Sequence, residues 1–405
     1  VTSGTDAHFS PYDPEFSANP YPAFKRLREE APLYYNEEED FYALSRYEDA
    51  SQALLNPKLF NSSRGGILEL VKANLQMAPA QFIFEDPPSH TKHRGLLARV
   101  FTAKRMEGLE PQVREYCVRA LDSLVGADQF DFVADLTADM PMRVIGMRLG
   151  IPEEYNTTVR DGTDDWFRTE PGQPKQYDGS STGPLIAVLE EHIDWWLEHP
   201  GDDLMTQLLQ TEFEDDVGTE RRLTRDEALS YMNLLAGAGN ETTTKLIGWT
   251  GKVLADHPDQ RRQLAADPSL IPGAIEEVLR FEPPGPVIGR YVTQDVQIQG
   301  STVPAGSAIL LLVGSSNRDD HRFPDGPPCQ PRVRRFDVRR SPGGVHAFGY
   351  GIHFYLGAAL ARLDGRVALE EVLKRLPDWE VDIDNAKLAT TSTVRDWETL
   401  PVVIP

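Results

Sequence analysis

Phe348-Gly349-Tyr350-Gly351-Ile352-His353-Phe354-Tyr355-Leu356-Gly357 is the stretch whose reading decides the fold. Three glycines punctuate an otherwise aromatic loop, which suits a backbone that turns tightly and presses against something flat. Apolar periodicity from about Leu356 to Leu376 predicts a helix directly after it, stopped by Pro377. Residue 355 therefore stands at a helix start, where the macrodipole favours an anionic side chain. Alone, such a loop says little more.

Upstream, Thr224 with Glu227 reads as a capping box, and His257-Pro258 supplies a stop. The helix between them is long for a globular protein and is expected to cross the centre of the fold. In its middle lies Ala238-Gly239-Asn240-Glu241-Thr242-Thr243. Glycine in a helix interior costs about 1 kcal/mol against alanine. Small residues would let a flat ligand lie against the backbone, and a threonine hydroxyl can bond the preceding turn and loosen it. The plainer alternative is a packing groove against another helix, with Glu241 in solvent.

Three further features are weak singly. Glu277 and Arg280 share one face of a helix that opens at Pro272 and ends before Pro283-Pro284. Asp86-Pro87-Pro88 is a helix entry after which His90 and Arg94, four apart, project together and could grip a carboxylate; in isolation a capped surface helix with solvated cations is the favoured reading. Arg290 is an isolated cation just after the apolar turn Val287-Ile288.

The remainder sets the frame. A proline- and aromatic-rich strap, Pro11 to Pro22, leads into a helix at about Ala23–Glu30. Leu33–Tyr35 and Phe41–Leu44 read as strands around the acidic turn Glu37–Asp40. Helical patterns dominate from about Asp49 to Asp256, broken by the polar segment Gly162–Gly183, and strand-like pieces follow at Val292–Ile298 and Ala308–Val313. The 405 residues are 40% apolar and 26% charged, as expected of a globular protein. A formal net charge of −22 argues against nucleic acid as a partner. The two cysteines, Cys117 and Cys329, are far apart, so no disulfide framework is expected and a reducing cytoplasm is the natural setting. Val1–Pro11 carries no secretory pattern, and no apolar run is long enough for a membrane span.

In their chain order and at these separations, the four elements at 86–94, 238–243, 277–280 and 348–357 resemble the cytochrome P450 family. The similarity runs from Asn19-Pro20-Tyr21 to Leu400-Pro401-Val402. The family pattern F-x-x-G-x-x-x-C-x-G is matched at Phe348, Gly351 and Gly357, and E-x-x-R at Glu277 and Arg280. The pattern (A/G)-G-x-(D/E)-T-T is matched at Ala238, Gly239, Glu241, Thr242 and Thr243, and H-x-x-x-R at His90 and Arg94.

The resemblance implies a mainly α fold with small β-sheets, the cytochrome P450 fold, as a single domain over residues 1–405 that binds one haem b and its iron. By it, His90, Arg94, Arg290 and His353 would hold the haem propionates, and Ala238, Phe348, Gly349 and Gly357 would complete the cofactor site. Glu241 and Thr242 would be the catalytic pair delivering protons during oxygen activation, while Glu277 and Arg280 would belong to a buried structural network. The implied activity is monooxygenation of an apolar organic substrate by a cytoplasmic monomer, with electrons from a ferredoxin and its reductase. Phe82, Leu234, Val287, Ile288 and Val394 are expected to line the substrate pocket.

Two departures stand out. The metal-ligand position, cysteine in the family, is Tyr355. A thiolate pushes electron density onto iron, whereas tyrosinate is the ligand of catalase-like proteins. A phenol oxygen also reaches further from its backbone than a sulfur does. Either the loop retreats and Tyr355 ligates iron, or its ring turns aside. A peroxide-using haem enzyme, or a haem or small-molecule binding protein without catalysis, are the alternative functions. The second departure is an insertion between Phe323 and Phe336 that carries Cys329. That cysteine is a conceivable substitute ligand, but an ordinary surface thiol is the plainer reading, since nothing nearby activates it.

Overall fold

The computed structural model describes residues 7–75, 77–137, 140–170, 172–177, 184–201, 203–323, 335–340 and 342–405, without the side chains of 17, 163–167, 184–185, 240 and 241. The longest helix is Arg225–Asp256, 32 residues. Both halves of its capping box form: the Thr224 hydroxyl accepts the Glu227 N–H at 3.2 Å, and the Glu227 carboxylate accepts the Thr224 N–H at 2.8 Å. Pro258 cannot continue the ladder and instead opens the next helix, Pro258–Ala266. At about 1.5 Å per residue the long helix spans roughly 48 Å.

This central helix belongs to two cores. Ala228, Tyr231, Met232, Leu235 and Ala236 pack with Met142, Ile145 and Leu149 of the helix Met140–Leu149 and with Leu189, Ile193 and Trp196 of the helix Pro184–Glu198. Beyond the Ala238–Thr243 segment, Leu246, Ile247, Trp249, Val253 and Leu254 pack with Leu360, Ala361, Val367 and Ala368 of the last helix, Ala358–Arg375. The small-residue segment thus lies between two apolar blocks.

The largest sheet has the order Leu33–Asn36, Phe41–Leu44, Ala308–Leu311, Ile288–Val292, Phe60–Asn61. Ala308–Leu311 runs parallel to Phe41–Leu44 and antiparallel to Ile288–Val292, with Ile309 opposite Arg290. Its four residues are all buried. Arg290 is therefore fixed from a strand and not from a loop. The strand expected at Val292–Ile298 is divided into Ile288–Val292 and Val296–Ile298, because Thr293-Gln294-Asp295 turns away and the Asp295 carboxylate caps the Ala305 N–H at 2.9 Å.

Gly162 does not break its helix, which runs Asn156–Phe167. One glycine costs about 1 kcal/mol there, and Val159, completely buried against the Leu189–Ile193 helix, compensates. No helix among the described residues is long and apolar enough to cross a membrane.

Candidate active site

The 348–357 loop folds back on itself before the last helix. The Tyr355 N–H donates to Phe348 O at 2.8 Å, and Gly349 N–H to His346 O at 2.8 Å. Gly349 and Gly351 both have φ of +69°, the left-handed region where a side chain is strained, and a Cβ on Gly351 would stand 2.8 Å from Leu54 O. The closed loop places Tyr355 three residues ahead of the helix Ala358–Arg375.

Tyr355 faces a cavity of about 230 Å³ between this loop and the central helix. One wall is Leu234, Leu235, Ala238, Gly239 and Thr243; the facing wall is Tyr355, Leu356, Gly357, Leu360 and Ala361. Phe82, Phe101 and Ile145 add apolar surface, and Arg94, Arg290 and His353 supply the polar end. A few polar groups in an apolar cleft are the usual make-up of a small-molecule site.

The polar end is short of partners. Arg290 is buried; burial lowers its pKa to about 10, and the Asp86 carboxylate resists that fall. Its guanidinium donates to Gly289 O at 2.8 Å. Arg94, likewise lowered by burial, donates to Phe354 O. The His90 and His353 rings lie 4.4 Å apart. Burial first, then neighbouring cations, lowers His353 to about 2 and His90 to about 4, so both are neutral imidazoles at pH 7. His353 Nε2 meets Ser62 Oγ at 3.2 Å, whereas both ring nitrogens of His90 are buried without a hydrogen-bond partner. The positive charge at this end rests on the two arginines, with the imidazoles as neutral donors.

The central-helix wall carries the hydroxyl chemistry. Thr242 Oγ1 lies 3.2 Å from Ala238 O and 3.0 Å from Tyr355 Oη. Tyr355 gives its own proton to Ala238 O at 2.7 Å. The Tyr355 side chain thus runs from one wall to the other.

The cytochrome P450 family model matches residues 185–393. The putative cytochrome P450 123 of Mycobacterium tuberculosis is 35% identical over 398 residues, 97% of this chain and 96% of that protein. The cytochrome P450 monooxygenase PikC of Streptomyces venezuelae is 34% identical over 399 residues, 96% and 92% of the two chains. Among solved structures, a mutant of P450 EryK in complex with erythromycin B superposes with a TM-score of 0.85 at 29% identity, covering 98% of both chains. The chain belongs to the cytochrome P450 family.

Cytochrome P450s bind haem, a flat group with two carboxylates. At the polar end the residues fit: the buried Arg290, the half-buried Arg94 and the unpartnered imidazole of His90 are what two carboxylates held in a cleft require. In the middle they do not, because the Tyr355 ring occupies the space between loop and helix. The ring reaches across the cavity to Ala238 O and Thr242 Oγ1.

The other expected P450 site residues divide. Phe82, Leu234, Arg94, Ala238, Arg290, His353, Tyr355 and Gly357 line the cavity, with the His90 ring tilted against His353 behind them. Phe348 and Gly349 stand one layer back, Phe348 stacked on the Tyr355 ring. Val287, Ile288 and Val394 are not on the cavity wall. Val287 packs with Leu68, Val71 and Leu310, and Ile288 against Leu44 and Leu311, since both belong to the sheet's own cores. Val394 closes a turn with Thr391, whose Oγ1 takes its N–H at 3.1 Å. Glu241 is on the central helix, but its side chain lies outside the described residues, as does Cys329. Cys117 is buried in the core, where burial pushes its thiol up to about 12. Sequence reasoning missed Phe101, Ile145, Leu360 and Ala361, which read as ordinary apolar helix positions and offered no signal.

Proposed function

We propose that this P450 binds haem b in the cavity between the 348–357 loop and the central helix, with the propionates toward His90, Arg94, Arg290 and His353. One observation carries the reading. Four segments distant in sequence, at Arg94, Ala238–Gly239, Arg290 and His353–Gly357, bring the cationic end, the small-residue wall and the 355 position to a single cleft. Haem supplies oxygen activation in this family, which its thiolate ligand promotes by donating electron density to the iron. Arg94 and Arg290 would neutralise the propionates, and neutral His90 and His353 would donate N–H bonds to them. Phe82, Leu234 and Ile145 make an apolar face toward an apolar organic substrate; the EryK neighbour holding erythromycin B supports that class.

Tyr355 stands where the family has its cysteine, so monooxygenation by this chain is impaired. The Thr242 hydroxyl, which with Glu241 would move protons toward the reacting oxygen, has Tyr355 Oη as a neighbour instead of an open site. That contact favours the second reading, a haem or small-molecule binding protein without catalysis. As a monooxygenase the chain would act in the cytoplasm as one domain, taking electrons from a ferredoxin and its reductase.

The ferrous–CO spectrum separates the readings. Tyr355→Cys should give the strongly red-shifted thiolate band and, with an electron-transfer chain, oxidise an apolar substrate. The parent should show neither. A thiolate band from the parent would place the ligand at another residue.

A further inference from the structure

Tyr355 is held at every point along its length. Its backbone N–H bonds Phe348 O at 2.8 Å. The Phe348 ring stacks on it at 5.7 Å and 16°. A Cβ on Gly357 would stand 2.9 Å from Tyr355 Cζ and 3.0 Å from Oη, so only glycine leaves room for the ring where it lies. Its hydroxyl donates to Ala238 O at 2.7 Å and can accept from Thr242 Oγ1 at 3.0 Å. Since Thr242 has a single hydroxyl proton and Ala238 O already takes one from Tyr355, the three groups form a consistent short network.

The result is a side chain that, hydrogen-bonded to the central helix, joins the two walls that a flat macrocycle would separate. The cavity around it, about 230 Å³, falls below the roughly 300–1,000 Å³ typical of pockets that enclose a drug-sized ligand. The polar end is nevertheless built for anions. The site is therefore prepared at its rim and filled at its centre.

We propose that Tyr355 is a strut that closes the haem slot, so that the strut and the cofactor exclude each other. Haem seats only after both hydrogen bonds to the central helix break and the ring leaves the slot. Haem affinity then carries the cost of opening, as for any ligand whose competent state is a minor population. This inference rests on the cavity being the haem site, as proposed above. It also opposes the intuitive role of the residue: as a strut Tyr355 weakens haem binding, whereas as a phenolate ligand it would strengthen it.

The two roles order three variants differently. Haem-free full-length protein is titrated with haemin, following the Soret band, for the parent, Tyr355→Phe and Tyr355→Ala. The strut predicts that Tyr355→Ala binds at least tenfold more tightly than the parent. Tyr355→Phe keeps the ring but neither hydrogen bond, and should bind no more weakly than the parent. The haem-free proteins should melt in the reverse order, parent highest and Tyr355→Ala lowest. Far-UV circular dichroism establishes that each variant is folded, and Tyr355→Phe, nearly isosteric, serves if Tyr355→Ala is not. A parent that binds more tightly than Tyr355→Phe, or as tightly as Tyr355→Ala, overturns the strut. If no variant binds haem, Tyr355→Cys included, the haem-site reading falls and the strut with it.

Discussion

Glu277 and Arg280 are one helical turn apart, both completely buried, and face each other through two hydrogen bonds of 2.7 Å. The pair is also a junction. Glu277 Oε1 accepts the Asp337 N–H and Arg340 Nε, each at 3.1 Å, and Arg280 donates to Asn317 O at 3.2 Å and Arg335 O at 3.3 Å. It therefore pins the segments around Asn317 and Arg335–Arg340 to the helix Ile271–Phe281. Removing one partner leaves a buried charge uncompensated, which typically costs 3–5 kcal/mol. Glu277→Ala should lower the urea midpoint by a corresponding amount, or give no folded protein. A midpoint equal to the parent's would show that the junction is dispensable.

Acid sensitivity should have an identifiable source away from the cavity. His346 is completely buried, its ring stacked on Tyr47 at 4.1 Å and held between Ser51 Oγ at 2.9 Å and Ser316 Oγ at 3.0 Å. Burial, with a smaller push from Arg322, lowers its pKa from 6.5 to about 4. Between those values the unfolded chain binds a proton that the folded protein does not. Stability therefore rises with pH across this window, by about 1.4 kcal/mol per pH unit for one imidazole. The contribution is complete above pH 6.5 and is lost as pH falls toward 4. His346→Gln should be less stable than the parent at pH 7.5, yet lose less on going to pH 5. Parallel pH profiles of urea midpoints for the two proteins would refute the assignment.

What the sequence made legible follows from how local each signal is. The capping box at Thr224 and Glu227, and the positive-φ glycines of the 348–357 loop, are local events that residue type nearly dictates. Spacing alone paired Glu277 with Arg280, but not their burial, which comes from Asn317 and Arg335–Arg340 far along the chain. Val287 and Ile288 show the opposite limit: an apolar residue beside a turn looks the same whether it faces a cavity or the core of a sheet. The direction of the Tyr355 ring was equally out of reach, because it depends on an acceptor 117 positions away, Ala238 O.

Gly239 is the residue on which two explanations of the small-residue segment meet. The sequence allowed either a ligand lying on the helix or another helix packed against it. The glycine lines the cavity, and it also touches the helix Met140–Leu149. A Cβ there would stand 2.5 Å from Ile145 Cγ1 and 2.9 Å from Ile145 Cβ. The second of these atoms moves only with its backbone, so an alanine must push the two helices apart. Overpacking of this kind costs about 1–3 kcal/mol, more than alanine's helix advantage over glycine of about 1 kcal/mol returns. Gly239→Ala should therefore be neutral at best and more often destabilising. Ile145→Ala should itself cost about 2–5 kcal/mol. In that background Cγ1 is gone while the Cβ at 2.9 Å remains, so the cost of Gly239→Ala should fall without vanishing, with a coupling of about 0.5–3 kcal/mol. Urea midpoints of the four proteins close the cycle. Strictly additive costs would mean that the helices already have slack at this point, leaving only the cavity to explain why position 239 is a glycine.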